Sequence, residues 1–408
     1  MSRITECRIC GGSDIKPVLD LGHTPLADRL VKPSQLSEKD PVFPLEVGFC
    51  PNCSLLQIME TVPPSVLFCE DYPYYSSFSE HLLKHSKENV EAIIAERGLG
   101  SESLAVELAS NDGYLLKNYV NHGIQVLGID PAEGPAREAE KIGVETLNDF
   151  FSKALSTRLV AEGKKADVIH ANNVLAHVAD LNNFVAGIAQ LLKDNGVAVI
   201  EAPYVKDLVD HCEFDTMYHE HLCYFSVTAL NHLFSQHHLS LNRVVRLSIH
   251  GGSLRLFVGK QKEVESSVTE LLELEHRSGV DQIGYYQDFS KRVNHVVESL
   301  NALLHKLKSG GSSIAAYGAA AKGSTLINTA KIGTDLIDFV VDKNTHKQGL
   351  YMPGQHIPIY APEALLEKMP DYTLILPWNF TDEILSQQRE YTEKGGKFIV
   401  PIPEPKII

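Results

Sequence analysis

The chain has 408 residues, 44% hydrophobic and 22% charged, which is enough for two or three domains that each bury a core. Its formal charge of -15 opposes long-range attraction to nucleic acid and to anionic membranes, so neither is expected as a partner and a phosphate-bearing ligand must find local cations. No stretch approaches the roughly eighteen apolar residues of a membrane span, and Arg3, Glu6, Arg8, Asp14 and Lys16 interrupt any apolar run that would make a signal peptide. Seven cysteines, four of them in short pairs, suit a reducing compartment, and a cytoplasmic protein is expected.

Cys7-x2-Cys10 and Cys50-x2-Cys53 come first. Each such turn presents two thiolates to one ion, and two turns complete a tetrahedral zinc shell with no open position, which makes the metal structural. A redox pair or unrelated buried thiols stay open as alternatives, because the 39 residues between the pairs exceed the usual ribbon spacing and closure falls to the fold. Gly11-Gly12, Pro25, Pro33, Pro41, Pro44 and Pro63-Pro64 punctuate residues 1–70, predicting a small loop-rich module.

A helix is predicted over Ser79 to Arg97, where Leu82, Leu83, Val90, Ile93 and Ile94 recur at helical spacing. Strand-like and helix-like segments then alternate: Leu104–Leu108, a helix from Gly113, Ile124–Asp130, a helix near Ala136, Ala166–His170, a helix over Leu181–Leu192, and Gly196–Ile200. Alternation of this kind implies a parallel sheet covered on both faces. Leu239–Leu247 and Ser253–Gly259, joined by His250-Gly-Gly252, predict a closing antiparallel hairpin, so that 71–262 form one domain. Residues 263 to about 308 are helical, and a second α/β unit follows with strands Ser313–Tyr317, Leu336–Asp342, Thr373–Leu376 and Lys397–Val400, giving a third domain over 263–408.

Candidate chemistry sits where strands end. The turn Glu107-Leu-Ala-Ser-Asn-Asp-Gly113 followed by Asp130 puts a glycine turn after one strand and a carboxylate after the next, able to bind a ribose. The pattern lacks GxGxxG, which favours a cofactor without phosphate over a dinucleotide. His170-Ala-Asn-Asn-Val-Leu-Ala-His177 runs off another strand, and Asn172 is costly to bury without partners. The densest cluster is Tyr218-His-Glu-His221, with two imidazoles, a carboxylate and a phenol in one segment. Acid–base chemistry, polar packing and a metal through His219, Glu220 and His221 are its three readings. Tyr72, Tyr74 and Tyr75 mark the join between module and core, while Tyr317-Gly-Ala-Ala-Ala-Lys322, Trp378-Asn379 and Gly252-Ser-Leu-Arg255 offer small residues and cations for a diphosphate.

Taken in order, these motifs resemble the S-adenosylmethionine-dependent sugar C-methyltransferases, and the resemblance spans essentially the whole chain. It implies an α/β protein with a zinc-binding N-terminal module, a central class I methyltransferase domain and a C-terminal Rossmann-like domain holding a nucleotide-diphosphate keto-deoxysugar, with dTDP the expected carrier. By the same resemblance Cys7, Cys10, Cys50 and Cys53 hold zinc, and Tyr72, Glu107, Asn111, Gly113, Asp130 and Asn172 bind the methyl donor. His221 is then the general base, with Glu220 favouring its protonated form and Tyr218 and His177 around the sugar, while Tyr75, Arg255, Gly318, Lys322 and Asn379 face the substrate. A monomer is expected. The rival readings are a nicotinamide-dependent nucleotide-sugar oxidoreductase and a non-catalytic zinc-headed nucleotide-binding adaptor.

Overall fold

A computed structural model describes residues 2–67 and 75–408. The central domain is a seven-stranded sheet ordered 240–247, 253–259, 192–203, 166–172, 104–108, 125–129, 146–147. All of its strands run parallel except Ser253–Gly259, which lies antiparallel to both neighbours. Numbered along the chain, the order is 3-2-1-4-5-7-6, the doubly wound sheet with an antiparallel final hairpin anticipated from the sequence. Strand Leu104–Leu108 is buried along nearly its whole length, as a central parallel strand with helices on both faces must be. Helix Glu80–Arg97 covers one face; the Ser79 hydroxyl caps its first turn by accepting the Leu82 N–H, and Gly98 at φ 60 stops it.

The N-terminal module contains more strand than its proline content suggested. Lys16–Pro25, Val42–Phe49 and Leu56–Ile58 form an antiparallel sheet, and its fourth strand, Cys223–Tyr224, comes from the central part of the chain. The N–H of Ile58 also donates to the carbonyl of Leu222 at 2.9 Å. The segment carrying Tyr218–His221 is therefore stitched directly to the module.

The C-terminal sheet has strand order 359–360, 340–341, 314–317, 372–375, 397–400, 406–407, parallel except for the last. Its chain-order pattern, 3-2-1-4-5-6, reverses direction between Ile314–Tyr317 and Tyr372–Ile375. Of the predicted strand over 336–342 only Val340–Val341 pairs with neighbours. Helix Ser266–Ser278, placed by sequence in the C-terminal domain, packs instead on the central one. Its Val268 joins the core around Leu239, Leu241 and Val244, and the Glu275 carboxylate accepts from the N–H groups of Val227 and Thr228 at 2.7 and 2.8 Å. That carboxylate caps the start of helix Val227–Gln236 from a neighbouring helix, an interaction invisible in local sequence.

The three parts share one apolar seam. Leu45, Val47 and Phe49 of the module, Val205–Met217 of the central domain, helix Phe289–Ser309 and the C-terminal strands contribute to a single buried cluster. Among the described residues no helix is long and apolar enough to cross a membrane.

Candidate active site

In an open α/β sheet, ligands bind beyond the carboxyl ends of the strands at the point where strand order reverses. The chain has two such points: between strands 104–108 and 166–172, and between 314–317 and 372–375. Both open into one cavity of about 1020 Å³. Its wall runs from Asn111, Asp130 and Asn172, past His177, Tyr218, Glu220 and His221, to Gly318, Lys322 and Asn379.

At the central end the backbone folds tightly, with left-handed φ at Ala109 (57°), Asn111 (49°) and Gly113 (75°). Asp130 fastens this turn by accepting the Asn111 N–H on one oxygen and the Ala132 N–H on the other, each at 2.8 Å. Burial raises its pKa, and these two amides pull against that rise. Asn172 Oδ1 is buried on the same wall with no hydrogen-bond partner among the described residues, an unmet acceptor of the kind a ligand satisfies. Phe150 and Phe151 supply apolar wall. The set fits a cofactor carrying a ribose and a base without phosphate.

Two residues assigned to this end do not reach the cavity. Glu107 is 1% exposed, and burial first, and then Asp130 and Asp112, hold its carboxyl well above the usual range. Gly113 packs below the turn, where an added Cβ would sit 3.1 Å from Val144 Cγ2. Both shape the turn from behind. Tyr72 lies outside the described residues.

The C-terminal end repeats the same construction. Asp342 follows strand Val340–Val341 and accepts the N–H groups of Ala319 and Asn344 on separate oxygens at 2.7 and 2.8 Å, as Asp130 does in the other unit. Gly318 has φ 88, and a Cβ there would stand 2.5 Å from Pro377 Cδ. Gly318→Ala is therefore expected to cost about 1–3 kcal/mol of stability, read as a lower Tm, with methyl-donor affinity unchanged in calorimetry. Nearby, the Lys322 ammonium is buried 4.5 Å from the centroid of the Trp378 ring, without a hydrogen-bond acceptor among the described residues. Burial lowers its pKa, opposed by Asp215 and Glu213, while Trp378 Nε1 donates to Asp215 at 2.7 Å. A buried cation with donors to spare, beside a glycine turn and Asn379, suits an anionic ligand. Tyr75 stacks on His346 with centroids 5.6 Å apart, bringing the start of the central domain against the C-terminal one.

Arg255 is elsewhere. Facing Glu201 across the sheet, its Nε donates to that carboxylate at 2.7 Å and its Nη2 lies 3.0 Å from His85 Nε2. This buried cluster holds helix Glu80–Arg97 to the sheet, and Arg255 does not line the cavity.

Between the two ends, His221 Nδ1 lies 3.0 Å from the Thr216 carbonyl and Nε2 lies 2.9 Å from the Tyr218 hydroxyl. A carbonyl only accepts, so Nδ1 carries the proton and Nε2 keeps its lone pair toward the phenol. The Tyr218 ring stacks on the imidazole at 4.1 Å and His177 meets it edge-on at 4.8 Å. The Thr216 carbonyl orients this ring. Burial first, and then the nearby Asp28 carboxylate, push Glu220 up to about 8. Burial pushes His177 down to about 4 and keeps it uncharged. His219 is a structural residue: 1% exposed, it donates from Nε2 to the Pro44 carbonyl at 3.0 Å and locks the module to the central domain. That removes the metal reading of His219, Glu220 and His221.

The four thiols of Cys7, Cys10, Cys50 and Cys53 lie within 4.8 Å of one another, at the spacing of a tetrahedral zinc shell. Asn182 ties this knot to the central domain by donating to the carbonyls of Arg8 and Ile9 at 3.1 and 3.0 Å. The sequence reading missed Asp28, Glu213 and Lys347, which also line the cavity. Asp28 follows Pro25-Leu-Ala in a loop with no motif, and only its place in the fold marks it.

One cavity at the strand ends of two α/β units, lined by His177, Tyr218 and His221, is the architecture of an α/β enzyme. Three family models match the chain in series: "Putative zinc binding domain" over residues 7–68, "Methyltransferase domain" over 81–242 and "C-methyltransferase C-terminal domain" over 248–403. The C-methyltransferase NovU of Streptomyces niveus is 35% identical over 99% of this chain and 97% of its own length. The chain belongs to the C-methyltransferase family. A ubiquinone biosynthesis O-methyltransferase of Bartonella quintana is 28% identical over 23% of this chain and 39% of its own length. A magnesium protoporphyrin IX methyltransferase of Synechocystis PCC 6803, solved with bound SAM, shares 14% identity at a TM-score of 0.34, covering 44% of this chain and 79% of its own; that likeness is too distant to bear on function.

Proposed function

We propose that this C-methyltransferase uses S-adenosylmethionine to methylate a carbon beside the ketone of a nucleotide-linked 4-keto-deoxysugar. The observation that carries the reading is that one cavity is lined at once by His221, by Asp130 and Asn172 of the central unit and by Gly318 and Lys322 of the C-terminal unit. S-adenosylmethionine, when bound, supplies an electrophilic sulfonium methyl.

The residues divide the remaining work. Carbon beside a ketone becomes nucleophilic only on losing a proton, and Nε2 of His221 is the lone pair able to take it. The Thr216 carbonyl then stabilises the charged ring through Nδ1–H. Substrate entering beside His221 frees the Tyr218 phenol to donate to the enolate oxygen, where a preorganised donor is worth most. Lys322 and the Gly318 turn receive the diphosphate, and Tyr75, Asn379 and Asp342 border the nucleotide-sugar end. With S-adenosylmethionine held by the Asp130–Asn172 side and the sugar by the Gly318–Lys322 side, one cavity would bring the two ligands together.

The test is incubation with S-adenosylmethionine and a panel of nucleotide-linked 4-keto-deoxysugars, followed by mass spectrometry and NMR. A mass gain of one methylene on carbon is the expected product. Methyl transfer to oxygen, or no transfer with any member, sinks the proposal, and saturable binding of reduced nicotinamide by absorbance titration would favour the oxidoreductase.

A further inference from the structure

The turn Phe214–Thr216 carries two contacts on neighbouring residues. On one, the Thr216 carbonyl holds Nδ1 of His221 at 3.0 Å. On the other, Asp215, fully buried, accepts the indole N–H of Trp378 from the C-terminal domain at 2.7 Å, across 163 residues of chain. We propose that Asp215 and Trp378 are positioning residues: their hydrogen bond pins the turn that orients His221 to the domain that receives the nucleotide sugar, so that base and substrate keep one register. This rests on the reading of His221 as the base.

The turn moves as one piece, because the Glu213 carbonyl accepts both the N–H and the hydroxyl of Thr216, at 3.1 and 2.8 Å. Helix Ala321–Ala330 of the C-terminal domain packs against it. Phe214 belongs to the apolar seam shared by the three parts, and the Trp378 ring packs on that seam. Apolar contact of this kind is non-directional. An indole has a single donor in the plane of its ring, so its bond to a carboxylate also fixes orientation.

Neither Asp215 nor Trp378 lines the cavity, while their neighbours Thr216, Lys322 and Asn379 do. The pair therefore acts through other groups. The Lys322 ammonium stands 4.5 Å from the centroid of the Trp378 ring, so one indole lies against the cation at the anion end and also holds the turn that carries the base. Asp215 opposes the loss of charge on Lys322 as well, so truncating the carboxylate would disturb both ends at once. Removing the indole N–H isolates the bond.

Trp378 is the only tryptophan of the chain, so its indole can be altered without touching another. Two replacements remove the N–H and leave Asp215 and Lys322 in place: Trp378→Phe, and biosynthetic incorporation of benzothienylalanine, which puts sulfur where the N–H was and keeps the shape of the ring. The first measurement needs no turnover. By 15N NMR of imidazole-labelled protein, with His221→Ala to assign the signal, the wild type is expected to show His221 as the Nδ1–H tautomer alone and both replacements a mixture with the Nε2–H form. A single tautomer in both replacements overturns the positioning role whatever the enzyme's substrate. Under turnover both are expected to lower kcat about tenfold to a hundredfold, with KM for the nucleotide sugar and S-adenosylmethionine affinity within about twofold of wild type. A lower Tm with unaltered kcat would make the bond a structural lock, and a raised KM with unaltered kcat would make Trp378 a substrate-holding residue; either overturns the proposal. If the wild type methylates no nucleotide sugar, the functional reading has failed, while the imidazole signals still decide the pair.

Discussion

His221→Ala is expected to lower kcat by about 10²–10⁴-fold, the usual contribution of a positioned general base, while methyl-donor affinity stays within twofold or so of wild type. The separation follows from geometry. His221 stands on the segment after the Phe214–Thr216 turn, fixed by the Thr216 carbonyl and the Tyr218 hydroxyl, while the donor crevice is built from the turn at Ala109–Gly113, Asp130 and Asn172. The sharper readout is exchange: in deuterated buffer without methyl donor, the wild type should wash deuterium into the carbon beside the ketone and the variant should not. Retained exchange with lost methylation would hand the base role to another group and leave His221 a positioning residue. Tyr218→Phe should lose less, because the ring stack that fixes the imidazole survives without the hydroxyl.

The other large effect is expected from Cys50→Ser. Structural zinc in small modules contributes on the order of 10–16 kcal/mol of binding free energy, about the whole stability of an ordinary domain, so losing one thiolate should release the metal and unfold the head. Damage should then reach the active site. The module's strand Leu56–Ile58 pairs with Cys223–Tyr224, Ile58 donates to the Leu222 carbonyl, and His219 donates to Pro44, so the head braces both flanks of His221. Zinc content, amide-exchange protection over residues 2–67 and methyl transfer should fall together. A zinc-free variant that remains folded and active would show the thiols to be dispensable.

How far the site was legible depends on how local each cause is. The turn at Glu107–Gly113, the carboxylate at Asp130, the hairpin at 240–259 and the helix opening at Ser79 all declare themselves within a few residues, since turn chemistry, capping and burial period act over that range. Arg255 shows the opposite case. Beside a double glycine it resembles a ligand cation, but alternation along its strand turns it toward Glu201 and His85, and a pairing between strands settled its role. The contact that fixes the His221 tautomer comes from the Thr216 carbonyl, a backbone group five residues earlier that no side-chain motif announces.

By itself the sequence determined the α/β class, the order of module, methyltransferase domain and second α/β unit, the four thiols and the cluster around His221, because each is written in short-range spacing and hydrophobic period. Tertiary structure alone decided that two strand-order reversals face one cavity, that the zinc head completes its sheet with residues 223–224, and that Asp28 of the head reaches the wall of that cavity. Those outcomes depend on which apolar faces bury against each other, a choice made by the whole folded chain and left unmarked at the residues it brings together.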